Sequence, residues 1–139
     1  MELIVAMDME NGIGYKGRLP WKCSEDLKHF KNKTINKTIL AGRNTVEKLP
    51  YLTNRRVVCM SRINHDTTQW NNNVTIIRSL NDMSEIESEN IIVCGGSQIY
   101  KKALIEKRII KVFRTIILGK FDCDTYFDIS WLHDFVITK

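Results

Sequence analysis

The chain has 139 residues, of which 43% are hydrophobic and 27% are charged. This size and composition predict one domain over residues 1–139 and exclude a disordered chain, and the longest apolar runs are far too short to span a membrane. The formal net charge of +5 indicates an anionic partner, either a nucleic acid or a small polyanion.

Predicted strands alternate with predicted helices along the chain. Apolar runs predict strands at residues 2–7, 38–41, 55–61, 74–77, 91–94, 109–118 and 132–138. Helices are predicted at residues 24–33, 44–49, 80–88 and 98–106. This alternation, with continuously apolar central strands, predicts an α/β domain with a mainly parallel sheet.

The segment 8–23 has neither the helical nor the strand period, and we predict a loop, which at that length usually has a function. It contains a literal GxGxxG at Gly12, Gly14 and Gly17. A Rossmann dinucleotide motif needs a helix opening at the glycines and an acidic residue about 20 positions later. Pro20 follows closely instead, so we interpret the segment as a flexible glycine loop.

Asp26 and Phe30 are four positions apart and lie on one face of the predicted helix, which Ser24 would cap. In a structural interpretation, which is the more common one, Asp26 complements the helix dipole. In a functional interpretation, it is a carboxylate in an apolar pocket, with a raised pKa, that binds a cationic or amidine-like group. The helix pattern is compatible with both.

Three predicted strands end in glycine, hydroxyl or cationic residues. The junctions are Gly42-Arg43-Asn44-Thr45, Ser61-Arg62 and Gly95-Gly96-Ser97. Turns favour such residues in any case, but carboxyl ends of parallel strands share one crevice, where helix N-termini attract phosphate. The set therefore predicts a crevice for a phosphorylated ligand.

Other ligand classes are disfavoured. The histidines lack metal-ligand spacing, so no metal site is expected, and the tryptophans do not interleave with basic residues as in RNA-binding proteins. The four cysteines form no CxxC pair, and the first residues lack the pattern of a signal peptide. We therefore expect reduced thiols and a cytoplasmic location.

In their order and spacing, the motifs from residue 3 to residue 127 resemble those of dihydrofolate reductases. The matching segments are Leu3-Ile-Val-Ala-Met7, Gly12-Ile-Gly14, Leu19-Pro-Trp21, Glu25-Asp-Leu-Lys-His-Phe30, Ala41-Gly-Arg-Asn-Thr45, Cys94-Gly-Gly-Ser-Gln-Ile-Tyr100 and Asp124-Thr-Tyr-Phe127. The resemblance implies a three-layer domain with helices on both faces of the sheet. It also implies hydride transfer from NADPH to C6 of 7,8-dihydrofolate, with protonation at N5, which gives tetrahydrofolate for thymidylate and one-carbon metabolism.

The resemblance implies a substrate pocket. Asp26 would bind the pterin N3 and 2-amino group, because a planar amidine favours a bidentate carboxylate, and Thr115 would hydrogen-bond this carboxylate. Leu19 and Trp21 would form a mobile lid over the nicotinamide, and Trp21 would hold a water near Asp26. The remaining substrate residues would be the pocket walls and, last, the arginine that pairs with the glutamate α-carboxylate: Ile4, Val5, Ala6, Leu27, Phe30, Leu52 and Arg55.

The resemblance also implies the cofactor contacts. Arg43, Ser61 and Arg62 would receive the 2′-phosphate of NADPH, and Tyr100 would lie beside the nicotinamide. The other contacts would be Ala6, Ile13, Gly42, Asn44, Thr45, Cys94, Gly95, Gly96, Ser97, Gln98 and Ile99. Two polyanionic ligands would account for the basic charge, and antifolate inhibitors would bind the same cleft.

The C-terminal region departs from the family pattern. Family members usually add an antiparallel strand after the predicted strand 132–138, so we expect this strand either to take the vacant pairing position or to pair with another chain, with a monomer favoured. Two alternative functions are a same-fold reductase acting on a pyrimidine or ribosylamino substrate, and a non-catalytic polyanion-binding protein. Asp26 with Phe30 argues against the first, and the intact Asp26, Thr115 and Trp21 argue against the second.

Overall fold

A six-stranded parallel sheet forms the centre of the protein in a computed structural model, which describes residues 1–83 and 90–138. The strands are β1 (Glu2–Met7), β2 (Gly12–Gly14), β3 (Thr38–Gly42), β4 (Arg56–Met60), β5 (Val74–Ile77), β6 (Ile91–Val93), β7 (Lys111–Ile116) and β8 (Thr125–Tyr126). The helices are α1 (Ser24–Thr34), α2 (Arg43–Val46) and α3 (Ser97–Ile105). The order in the sheet is β5-β4-β3-β6-β1-β7, whereas β2 pairs with β8 in a separate antiparallel ribbon.

Different helices cover the two faces of the sheet. Side chains alternate between the faces along a strand, so Leu3 and Val5 of β1 point away from Ile4. Leu3 and Val5 pack in one apolar cluster with buried residues of α3, whereas Ile4 packs with Phe30 of α1 and Val46 of α2. Burial on both faces explains the nearly continuous apolar strands and confirms the predicted three-layer α/β domain.

The glycine segment contains a strand that the sequence pattern did not reveal. Strand β2 lies within the segment 8–23, which was predicted as a loop, and its Gly14 pairs with Thr125 of β8. No helix opens at these glycines among the described residues, in agreement with the rejection of a Rossmann turn. The strand is three residues long and glycine-rich, so it has too few side chains to show a period.

The bounds of several helices differ from the prediction. Ser24 is the first residue of α1 and not its cap: the N-cap is Cys23, which makes no capping side-chain bond in the described structure. At residues 80–88, the described part is a 3-10 turn at Leu80–Asp82, which ends at Met83 with extended backbone; residues 84–88 of the predicted helix lie outside the described residues. No helix in the described ranges is long and apolar enough to cross a membrane.

The predicted strand at 132–138 was wrong. Residues Ile129–Leu132 form a 3-10 helix, which begins because Asp128 accepts a hydrogen bond from the Ser130 N–H. This turn diverts the chain, and Ile137 is 86% exposed, whereas Phe135 packs against the core. β7 therefore comes last in the sheet order of the described residues.

Candidate active site

An open cleft of about 1590 Å³ lies where the parallel strands end. Carboxyl ends of strands in such sheets are the usual place for ligands. Most residues predicted for the site line this cleft. They are Ile4, Val5, Ala6, Ile13, Leu19, Asp26, Phe30, Gly42, Arg43, Asn44, Thr45, Ser61, Arg62, Cys94, Gly95, Gly96, Ser97, Gln98, Ile99 and Tyr100.

Asp26 lies in the first turn of α1 and is half-buried. Burial raises the pKa of its carboxyl group, and the nearby His29 opposes this shift. Phe30, one helical turn further along α1, lines the same cleft and packs against the cluster that contains Ile4 of β1. This shift has the direction expected of a carboxylate in an apolar pocket.

The turn between β6 and α3 brings backbone close to the cleft. Gly95 has a φ of +127°, the Gly95–Gly96 peptide is cis, and the Gly42 N–H donates to the Gly95 carbonyl at 2.9 Å. A Cβ on Gly95 would lie 3.4 Å from Thr45 Oγ1 and 3.5 Å from the Tyr100 hydroxyl. Glycine is therefore required here, and the first N–H groups of α3, which have no partner within the helix, lie at the cleft, where an anion could accept from them.

Cationic side chains line the end of the cleft near β4 and β5. The Ser61 hydroxyl lies 2.7 Å from His65 Nε2, and Arg78 donates to the Ser61 carbonyl at 3.0 Å. The cations lining this cleft include Arg43, Arg62, Arg78, Lys101 and Lys102. Such a group of cations suits a dianionic phosphate.

Several of these cleft residues were not predicted from the sequence. Arg78 directly follows β5, just as Arg62 closely follows β4, so the strand-end reasoning applied to Ser61-Arg62 could have found it. His65 sits in an irregular segment with no local signal. Lys101 and Lys102 of α3 also line the cleft, but a basic pair on a helix is equally typical of a solvated face.

The glycine loop is fixed at the edge of the cleft by β8. The Asp124 N–H donates to the Gly14 carbonyl at 2.9 Å, and the Lys16 N–H donates to Asp124 Oδ2 at 2.9 Å. Leu19, further along this loop, lines the cleft and is 53% exposed. The segment 124–127 thus braces the loop near Gly14.

Trp21 and Thr115 lie outside the cleft lining. Trp21 is 7% exposed, and its indole Nε1–H is buried without a hydrogen-bond partner in the described part of the chain. Thr115 is half-buried on β7, beside Ala6 of β1. No hydrogen bond joins Thr115 to Asp26 in the described structure, so the expected pairing is not formed here.

Leu27, Leu52 and Arg55 also lie outside the lining. Leu27 is 66% exposed, because it lies on the side of α1 away from the core, whereas Leu52 is buried in the cluster beneath. The Arg55 guanidinium donates to Thr34 Oγ1 at 3.1 Å, at the end of α1. Leu27 and Leu52 were predicted as walls of the substrate pocket and Arg55 as the contact of the glutamate α-carboxylate, but none of the three lines the cleft.

Several cations and a half-buried carboxylate along one cleft of a parallel α/β sheet are typical of an enzyme that binds an anionic cofactor beside a second ligand. Comparison with known proteins identifies the family within this class. The family model for dihydrofolate reductase matches residues 1–139. The chain therefore belongs to the dihydrofolate reductase family, and its reaction is the NADPH-dependent reduction of dihydrofolate.

Individual relatives agree with this assignment. Dihydrofolate reductase from Staphylococcus aureus is 32% identical over 128 residues, which cover 91% of this chain and 77% of the relative. The bifunctional dihydrofolate reductase-thymidylate synthase of Paramecium tetraurelia is 29% identical over 142 residues, covering 99% of this chain and 30% of that protein. A solved dihydrofolate reductase from Enterococcus faecalis, complexed with NADP(H) and RAB-propyl, has a TM-score of 0.73 and 30% identity, covering 91% of this chain and 76% of that one.

Proposed function

We propose that one cleft holds both ligands of this reductase, with NADPH at the cationic end and dihydrofolate against Asp26. The observation that carries this proposal is the half-buried Asp26 carboxylate, which lines the same cleft as the Gly95–Gly96 turn. When bound, NADPH supplies the hydride. The chain itself binds, orients and desolvates both ligands.

The residues present fit NADPH. The phosphates require N–H groups and cations, which the start of α3 and the residues Arg62 and Arg78 provide. The Gly95 turn leaves backbone N–H groups accessible, because a side chain there would fill the space beside Thr45. Arg43, Ser61 and Arg62 would hold the 2′-phosphate in particular, with Tyr100 at the other end of the cofactor.

Asp26 would bind the N3 and 2-amino group of the pterin ring through both carboxylate oxygens. Its charge favours protonation of the substrate at N5, because a nearby anion stabilises the protonated form. The unpaired Trp21 N–H is suited to hold a water that bridges toward this carboxylate, since a buried donor without a partner is costly. Phe30 and Ile4 would keep the pocket apolar.

The direct test is the absorbance of NADPH at micromolar concentrations of the purified enzyme. We expect loss of absorbance only when dihydrofolate is added. No dihydrofolate-dependent loss would refute the proposal, and loss with a ribosylamino-pyrimidine substrate instead would support the same-fold alternative. A diaminopyrimidine antifolate should inhibit the reaction by pairing with Asp26.

The other assignments follow from this reading. The positive charge is used for small anionic ligands, so we infer that no nucleic acid partner is needed. The four cysteines are free thiols, two of which, Cys59 and Cys94, lie in or beside the core, which suits the cytoplasm. We also infer a monomer, which size-exclusion chromatography with light scattering would test.

A further inference from the structure

Asp8 is a buried carboxylate at the end of β1, outside the cleft lining. It is 1% exposed and accepts hydrogen bonds on both oxygens. Oδ1 accepts the N–H groups of Glu10 at 2.9 Å and Gly12 at 2.8 Å, and Oδ2 accepts the Phe121 N–H at 3.1 Å. The Cys123 thiol donates to Oδ2 at 3.7 Å.

These bonds determine the charge state of Asp8. Burial alone would favour the neutral acid, but the N–H groups of Gly12, Phe121 and Glu10 hold the pKa of this carboxyl below its usual range. The carboxylate therefore stays ionised and acts as an acceptor only. Because both oxygens accept, the carboxylate can bind N–H groups from two separate segments. The side-chain amide of asparagine could accept from only one of them, since its nitrogen is a donor.

The two segments held by Asp8 meet at the lid. Gly12 begins β2 and the loop that leads to Trp21, whereas Phe121 lies in the segment between β7 and β8. The Phe121 ring contacts the Trp21 ring edge to face, with centroids 5.5 Å apart and an interplanar angle of 62°. Asp8 thus fixes the backbone of the residue on which the Trp21 indole packs.

The packing at Gly12 is a second, independent constraint. A Cβ at this position would lie 2.4 Å from Cys123 Sγ and 3.1 Å from Asp8 Oδ2. Real Cβ atoms do not approach other atoms so closely, so Gly12 admits the thiol and the carboxylate together. The base of the loop is therefore held in one position by hydrogen bonds and by close packing.

We infer that Asp8 is a positioning residue, which acts through Gly12 and Phe121 to set the place of Trp21, the residue proposed above to hold a water beside Asp26. This inference rests on the proposed function only in giving Trp21 a role beside the ligands. Displacements of about 1 Å far from the chemistry can cost about 100-fold in rate. The cofactor phosphates bind at other strands, so the effect falls on kcat more than on the KM for NADPH.

The test is Asp8→Asn, which keeps the shape of the side chain but turns one oxygen into a donor group. Asp128→Asn is the matched control, because Asp128 also accepts the N–H two residues further on, at 3.0 Å from Ser130, and lies outside the cleft lining. We expect Asp8→Asn to lower kcat about tenfold or more, with the KM for NADPH within twofold. Hydrogen exchange should accelerate in segments 10–21 and 117–124, and the control should change neither quantity.

An unchanged kcat in Asp8→Asn, or unchanged exchange in both segments, would overturn the inference. Should the wild-type enzyme fail to use dihydrofolate, the proposed function fails by itself, and the exchange measurement still decides whether Asp8 holds the lid. Should Asp8→Asn fail to fold, Phe121→Leu takes its place. It keeps the bond to Asp8 and removes only the ring contact with Trp21, so an unchanged kcat in that variant overturns the inference as well.

Discussion

The Tyr100 hydroxyl donates a hydrogen bond of 2.7 Å to the carbonyl oxygen of Ile4. It joins α3 to β1 at the point where both elements line the cleft. Burial, the nearby Cys94 and the charge of Asp26 raise the pKa of Tyr100 well above its usual value, so the hydroxyl stays a donor. Helix α3 and strand β1 are thus fixed to each other by one side chain.

Tyr100→Phe should therefore lower the free energy of unfolding, because it leaves the Ile4 carbonyl buried without this donor. Removing one partner of a buried hydrogen bond costs about 1–3 kcal/mol, measured by urea unfolding. Tyr126→Phe is the control, since Tyr126 is 50% exposed and its hydroxyl donates to the Cys123 carbonyl at 2.9 Å. Equal losses of unfolding free energy in the two variants would show that the buried hydrogen bond to Ile4 stabilises the protein no more than the exposed one does.

Asp26→Asn should lower activity at pH 7 and raise stability there. A carboxyl whose pKa is raised in the folded state stabilises the fold only while protonated, and that contribution is lost as pH rises through the folded pKa. At neutral pH the charged form therefore opposes folding, and the neutral amide removes this cost. The stability gain should shrink as the pH falls toward 4, whereas activity should partly recover, because preprotonated substrate reacts without the carboxylate.

The matched control for that variant is Glu25→Gln in the same helical turn. If Asp26 served only the helix dipole, both variants would destabilise the protein by about 0.3–1 kcal/mol. We expect this loss for Glu25→Gln alone, with activity preserved. Unfolding curves at pH 7 together with NADPH oxidation rates separate the structural from the functional interpretation of Asp26.

Arg62→Ala should weaken the binding of NADPH far more than the binding of NADH, because only NADPH carries the 2′-phosphate. Hydrogen bonds to charged groups contribute about 1.5–3 kcal/mol, so the KM for NADPH should rise about 10- to 150-fold. Arg78→Ala should have the same selectivity, since Arg78 lines the same end of the cleft and holds the Ser61 carbonyl. Arg108→Ala, remote from the cleft, should alter neither KM, and equal effects on both cofactors would exclude a phosphate contact for Arg62.

Much of the fold could be predicted because its strands are buried on both faces and its helices have apolar faces. The strand ends could be predicted as well, since glycine, hydroxyl and cationic residues cluster at Gly42, Ser61 and Gly95. The short ribbon of β2 and β8 could not, because two- and three-residue strands have no readable period. Likewise, Asp8 resembled a loop residue, and only the folded chain brings Phe121 to it.

The strand predicted at residues 132–138 was wrong for a different reason, and two substitutions test the packing that the structure shows there instead. An apolar run such as Phe135, Val136 and Ile137 has the composition of a strand, but the preceding turn sends only Phe135 into the core, while Ile137 is 86% exposed. Phe135→Ala should lower the free energy of unfolding by about 1–2 kcal/mol, because full burial of a large apolar side chain contributes about 1.5–3 kcal/mol and Phe135 is half-buried. Ile137→Ala should stay within about 0.5 kcal/mol of the wild type, as exposed substitutions usually do. A comparable loss at Ile137 would mean that the segment packs as a strand after all.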